Sequence, residues 1–259
     1  ADRPRPAQRS GEGGEVHFEI GGELAAGIAE LARRSRCTPY MVLLSAYQVL
    51  LARHTGQDDF CVGTPSAGRG STDLETMIGF LSTTLALRCD LSGDPAFADL
   101  LKRTRKVVLN ALSRQDVPFE RLVAELDVER DLSRTPLFQT LFAFHTHGET
   151  GDPLPGLDAE PFPHGWTRAR VDLSMDLTPL PGGHMLGTVL YSTDLFEHRT
   201  AERMVARFVR LLESAVAAPE TPIGSLPMLP EAELALLREW NETSAELPEV
   251  TLVDLDLDV

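Results

Sequence analysis

The stretch Ile78-Gly79-Phe80-Leu81-Ser82-Thr83-Thr84-Leu85-Ala86-Leu87-Arg88 constrains the fold most. It is apolar at seven of eleven positions, which marks a strand buried on both faces. Ser82, Thr83 and Thr84 interrupt it with three consecutive hydroxyls, which a purely structural strand rarely needs. They are expected to face something other than core. The plainer alternative is packing of β-branched residues on a pleated surface.

With 259 residues and 42% hydrophobic content, the chain can bury one large core or two modest ones. No apolar run approaches the roughly 20 residues of a bilayer span, and residues 1 to 15, rich in Arg, Gly and Pro, lack a signal-peptide core. A cytoplasmic protein without a membrane role is the default expectation. Cys37, Cys61 and Cys89 lie too far apart for a zinc motif and suit reduced thiols. A net charge of -15 argues against a nucleic-acid surface. From Glu231 to Val259 there are nine acids against the single base Arg238, so over half of the excess lies there and the body is only mildly acidic.

The pattern is α/β. Residues 1–14 read as a linker, 15–218 as the body, and 219–259 as a second linker with an acidic tail. Strands are expected at Glu15 to Ile20, Phe60 to Gly63, Ile78 to Arg88 and Leu137 to His145, with a hairpin of Val171 to Leu180 and Met185 to Ser192. Helices are expected from Leu24, from Thr38-Pro39, from Asp94-Pro95, from Asp116 with Pro118, from Thr200 and from Glu231, the Asp and Thr residues acting as caps. Lys102, Arg103, Arg105 and Lys106 read as a solvated helix face, an acidic partner being the alternative.

The candidate chemical motifs are weak. Gly63-x4-Gly68-Arg69 lacks the Lys and Ser or Thr of a phosphate loop. His54 with Asp58 and Asp59 sits at a helix end and reads as surface turn. His145, His147 and His164 have no carboxylate or thiol at ligand spacing, so no metal site is expected. No self-sufficient catalytic constellation is present.

Three ordered segments carry more information. Ile78 to Arg88, then Arg114-Gln115-Asp116-Val117-Pro118-Phe119-Glu120, then Arg130-Asp131-Leu132-Ser133-Arg134-Thr135-Pro136-Leu137, resemble the last three core motifs of nonribosomal peptide synthetase condensation domains. Asp2-Arg-Pro-Arg-Pro6, Gly63-Thr-Pro65 with Gly68-Arg69, Tyr191 to Phe196 and Trp240-Asn241-x-Thr243 are similar to that family too. The resemblance implies a chloramphenicol-acetyltransferase-like lobe, a mixed β-sheet flanked by helices, and only the C-terminal one of two lobes that enclose a substrate tunnel. The family's His-His-x-x-x-Asp-Gly belongs to the other lobe and has no match here, so no residue of this chain is expected to be catalytic and the chain alone is expected to be inactive.

In the parent, the family's reaction is peptide-bond formation between thioesters on phosphopantetheine arms of carrier proteins. Implied partners are the N-terminal lobe, peptidyl carrier proteins and a downstream adenylation domain, with no cofactor bound directly. The resemblance places Gly79, Phe80, Ser82 and Thr83 on the tunnel wall and Thr64, Pro65, Gly68 and Arg69 in the loop that floors it. Gln115, Asp116, Pro118, Arg130, Asp131 and Arg134 form an architectural network, and the arm near Gly151 to Trp166 looks like a latch onto the other lobe. The chain departs from the family with Leu81-Ser-Thr-Thr84 in place of Phe-Val-Asn-Thr, Arg114 in place of His or Asn, and Thr135 in place of Asn. Two alternatives stay open: a non-catalytic recruitment module of the same fold, or an acyltransferase with a free acceptor.

Overall fold

The computed structural model describes residues 1–69, 72–129, 131–145 and 167–243. One compact unit ends at Met228 and a second begins at Leu229. The first is built on a six-stranded sheet of β1 (Gly13–Ile20), β2 (Asp59–Ser66), β3 (Thr83–Asp90), β4 (Thr140–Phe144), β5 (Leu173–Pro179) and β6 (Met185–Ser192), in the order β1-β6-β5-β4-β2-β3. β4 runs parallel to β2 and β5 and the other pairs are antiparallel, so the sheet is mixed. β5 and β6 make the expected hairpin around Pro181-Gly-Gly183.

The helices are α1 (Gly22–Arg34), α2 (Pro39–Thr55), α3 (Thr72–Glu75), α4 (Phe97–Leu112), α5 (Phe119–Glu125), α6 (His198–Ala217) and, in the second unit, α7 (Glu231–Asn241). α2 is buried at every position from Met41 to Leu51, as a helix apolar all round must be. The Thr38 side chain accepts from Met41 N at 3.3 Å, and Pro39 opens the helix as the sequence predicts. α4 and α6 are amphipathic and flank α2, over β3 and β1 respectively. Phe97, Leu100, Leu101, Phe208, Leu211 and Leu212 come from them into one continuous core.

Three local expectations are corrected. β3 begins at Thr83, and Ile78 to Ser82 lie outside the sheet. Asp94 does not cap α4: the N-cap is Ala96, without a side-chain bond. The segment after α6 crosses the helix start, so that Phe97 N and Ala98 N donate to Thr221 O and Pro219 O while Asp94 Oδ1 accepts from Gly224 N at 2.7 Å. A passing backbone thus satisfies helix-end donors that a side chain would otherwise take. Asp116 likewise does not cap α5, because the helix starts after Pro118, whose side chain has no cap to offer.

The two flanking segments are tied down. Ile223, Leu226 and Met228 are buried in the core, and Arg53 Nη1 donates to Leu226 O. At the other end, Asp2 accepts from Glu197 N at 2.8 Å and from Thr200 Oγ1 at 3.1 Å, at the N-terminus of α6. That position suits a carboxylate electrostatically, and the Glu197 bond leads the causes that hold Asp2 below the usual carboxylate range.

Candidate functional site

Ser66 and Thr83 form the last rung between β2 and β3. Just beyond it, a cleft of about 450 Å³ opens between two walls. One wall is residues 80–84; the other is the α4–α5 connection, with Gln115, Asp116 and Pro118, together with Phe119 and Glu120 at the start of α5. Two of the segments singled out from the sequence therefore meet across one concavity, and Gly68, just after β2, completes its lining.

Two fasteners hold it. Ser66 Oγ donates to Gln115 Oε1 at 2.7 Å, tying β2 to the opposite wall. Gly68 has φ +66°, and a Cβ there would collide with the Leu81 carbonyl, so this position requires glycine both for its conformation and for the close approach. Arg69 fastens the chain that leads into residues 78–82, the lip of the cleft: its Nη1 donates to Leu74 O at 2.7 Å and Met77 O at 2.9 Å. Thr64 and Pro65 border a neighbouring apolar pocket of about 290 Å³. There Tyr40 Oη donates to Thr64 Oγ1 at 3.0 Å, and burial pushes the Tyr40 hydroxyl up to about 12. Gly79 stands apart, with open space around its α-carbon.

The cleft has a definite chemical character. It carries the Asp116 and Glu120 carboxylates, the 82–84 hydroxyls and the Gln115 carboxamide between Phe80 and Phe119, and no cation among the described residues lines it. It can hold an uncharged or cationic polar group; an anion would be repelled. Phe80 is 94% exposed and Ile78 fully so.

The family profile described as Condensation domain matches residues 1–238. A linear gramicidin synthase chain of Brevibacillus parabrevis is 42% identical over 246 residues, covering 94% of this chain and 5% of the synthase. Surfactin synthase subunit 1 of Bacillus subtilis (strain 168) is 40% identical over 257 residues, 98% of this chain and 7% of that protein. The chain belongs to the condensation-domain family. It spans only a small part of these relatives' length.

Condensation-domain structures share its fold. Holo-AB3403, a four domain nonribosomal peptide synthetase bound to AMP and glycine, superposes with a TM-score of 0.82 at 26% identity, covering 90% of this chain and 19% of that one. The X-domain from teicoplanin biosynthesis superposes at 0.80 and 31% identity, covering 88% of this chain and 52% of that one.

Among the described residues, the third motif segment does not line the cleft. Asp131 Oδ1 accepts from Ser133 N at 2.7 Å, and the bonds with Ser133 hold this carboxyl below its usual range; Arg134 Nε lies 3.5 Å from Asp131 Oδ2. Arg130 lies outside the described residues, as do Gly70, Ser71 and the arm from Gly151 to Trp166. Phe138 then fills the space beside Gly63 and packs on Phe119 at 5.4 Å, which links this loop to the cleft wall.

The sequence reading missed what holds the loop. Arg5 makes a two-pronged ion pair with the buried Asp172 and donates to Ser133 O at 2.9 Å. The bond with Asp172 raises the Arg5 pKa. Arg9 Nη1 donates to Thr135 Oγ1 at 3.2 Å and to Arg170 O at 2.8 Å. The signal available was Asp172, a carboxylate set directly between the apolar Val171 and Leu173 at the start of β5, where burial calls for a cationic partner.

The other candidates are accounted for locally. Asp59 takes a bidentate bond from Arg88 at 2.9 and 2.6 Å, which commits that carboxylate, while the His54 ring lies 3.4 Å from Arg207. His145 lies 3.4 Å from Asp176; His147 and His164 are outside the described residues. Burial raises all three thiols, Cys89 up to about 12, which leaves them poor nucleophiles. Among the described residues no His, Cys, Asp and Glu group forms a metal site, and no helix is long and apolar enough to cross a membrane.

Proposed function

We propose that this chain is the C-terminal lobe of a nonribosomal peptide synthetase condensation domain. The observation that carries the reading is the cleft: residues 80–84 and 115–120, far apart in sequence and each resembling a family motif, wall one concavity fastened by Ser66 and Gln115. The chain's span of 52% of the teicoplanin X-domain supports a single lobe.

In the complete domain, an acceptor amine attacks the carbonyl of a donor thioester. A C–N bond forms, the C–S bond breaks, the donor arm leaves as a thiol, and the amine proton is taken up by a base or water. This lobe contributes hydroxyl and carboxamide groups to a wall along which the uncharged thioester chains run, with Phe80 and Phe119 excluding water. The lobe without His-His-x-x-x-Asp-Gly has no general base aligned on the amine and is inactive alone. Its partners are the N-terminal lobe and carrier proteins bearing phosphopantetheine. Residues 1–14 join the lobes, and the segment beyond the family match leads toward an adenylation domain. Three free thiols suit a cytoplasmic setting.

A second reading has one observation in its favour. The X-domain is also known in complex with OxyB, and that structure superposes with a TM-score of 0.80 at 30% identity. A recruitment module needs the fold but not the chemistry. The deciding experiment mixes this chain with its N-terminal lobe and loaded carrier proteins and reads dipeptidyl thioester by intact mass. Product that requires both lobes supports condensation. Product from this chain alone overturns the half-domain reading, and no product despite a stable two-lobe complex favours recruitment.

A further inference from the structure

The apolar pocket of about 290 Å³ beside the cleft lies where the start of α2, the C-terminal half of α4 and the strands β2, β3 and β4 come together. Met41, Leu85, Leu87 and Val108, each less than a tenth exposed, form its sides. Leu109 and Leu112 also line it and are 44% and 41% exposed, so they stand where it opens to solvent. A pocket that is buried on its sides and leucine-rimmed at its mouth admits an apolar chain from outside.

Its side chains are polar at two places. Thr38, the α2 cap, is exposed, whereas Tyr40 Oη and Thr64 Oγ1 meet inside at 3.0 Å, with Thr64 only 6% exposed. Two hydroxyls carry two protons, and this pair shares one hydrogen bond. Whichever way that bond runs, one proton is left without an acceptor among the described residues. A buried donor left unpaired costs free energy, so a ligand that brings an acceptor to this point gains more than the burial of its chain.

The lining also sets the charge of the occupant. No charged side chain lines the pocket among the described residues. A carboxylate or ammonium brought against the hydroxyl pair would lose its hydration and find no counter-charge, whereas an alcohol or a carbonyl loses far less and makes the missing hydrogen bond. Pro65 and Phe144 complete a lining that is otherwise mostly aliphatic.

We propose that this pocket binds a small aliphatic molecule ending in an uncharged hydroxyl or carbonyl, with the polar end on the Tyr40 and Thr64 hydroxyls and the chain along Leu85, Leu87 and Val108 toward Leu109 and Leu112. The volume, at the lower limit of the roughly 300–1,000 Å³ of small-molecule sites, suits a ligand of that size. Pocket and cleft share no lining residue, and the proposal does not depend on the condensation reading.

The test titrates hexan-1-ol, hexanoate and 1-chlorohexane separately into the full chain, following amide and methyl resonances. Saturable shifts confined to 38–41, 64–65, 85–87 and 108–112 are the expected result, with hexan-1-ol tighter than 1-chlorohexane by about threefold to tenfold, the worth of one neutral hydrogen bond, and hexanoate weakest. Thr64→Val combined with Tyr40→Phe removes both hydroxyls with little change of shape, an exchange that can leave stability nearly unchanged. It should abolish the preference for hexan-1-ol and leave 1-chlorohexane binding as before. The three-probe comparison on the unaltered chain decides the matter even if that variant does not fold. Equal binding of hexan-1-ol and 1-chlorohexane, or a preference that survives the double variant, overturns the role of the hydroxyl pair and with it the proposal. Hexanoate binding as tightly as hexan-1-ol overturns the uncharged class, and shifts spread over the surface overturn the site. Shifts at Leu109 and Leu112 that grow with protein concentration in the absence of any probe would assign the mouth to a second copy of the chain and overturn the proposal as well.

Discussion

Residues 78–82 and residues 83–88 are neighbours with opposite fates, and the more apolar of the two is the one left outside the sheet. From Thr83 on, each residue has a partner in β2, and Leu85, Leu87 and Cys89 are buried beneath α4. Before Thr83, Ile78 and Phe80 stand in solvent. The difference does not lie in the residues themselves. β2 stops at Ser66, and Gly68 turns the chain back against Leu81, so the ladder has no strand to continue on. Strand length is set by the partner, and burial by the layer above. An exposed Phe leaves about 1.5–3 kcal/mol of apolar burial unused, which is available to a further surface.

The largest effect that would break this comparison lies on the packed side. Leu87→Ala removes a side chain that is 1% exposed, and should destabilise the first unit by about 2–5 kcal/mol in urea unfolding. A loss under about 1 kcal/mol would mean that β3 is no better packed than the lip. Next comes the turn that separates the two halves. Gly68→Ala places a side chain at positive φ against the Leu81 carbonyl and should cost about 1–3 kcal/mol, with faster amide exchange at 81–84. Unchanged exchange there would show that Gly68 does not set where the strand begins.

Much of the fold was legible because its signals are local. Thr38-Pro39, the all-apolar run of α2, the hairpin at Pro181-Gly-Gly183 and the spacing of α6 each specify one element through a few neighbouring residues. The errors came where a distant segment decides. Asp94 looked like a cap, but the crossing backbone of 219–224 took that role. Phe80 looked buried, since composition does not reveal that β2 has ended. The cleft's two walls were legible as motifs through resemblance, whereas the Ser66–Gln115 bond that joins them, and the Arg5–Asp172 pair behind them, connect positions whose pairing no periodicity encodes.

A smaller effect tests that join directly. Ser66→Ala removes one half-buried hydrogen bond and should cost about 0.5–1.5 kcal/mol. Gln115→Ala should cost about the same, and the double variant little more than either alone, because the two report one interaction. Additive losses would mean the walls are held by packing, and that the cleft's shape does not depend on this bond.

The smallest effect is expected on the lip itself. Ile78→Ser and Phe80→Ser alter side chains that stand in solvent and should change the chain's stability by no more than about 0.5 kcal/mol. Their consequence should appear only with a second surface present. If the lip is covered by the N-terminal lobe, Phe80→Ser should weaken association of the two lobes by more than about 1 kcal/mol, as truncation of a buried aromatic anchor does, while leaving the isolated chain as stable as before. Binding that ignores Phe80 would leave its exposure without a role in assembly. Destabilisation of the isolated chain by Phe80→Ser would instead show that the lip already packs on its own lobe, and the contrast between the two halves of 78–88 would disappear.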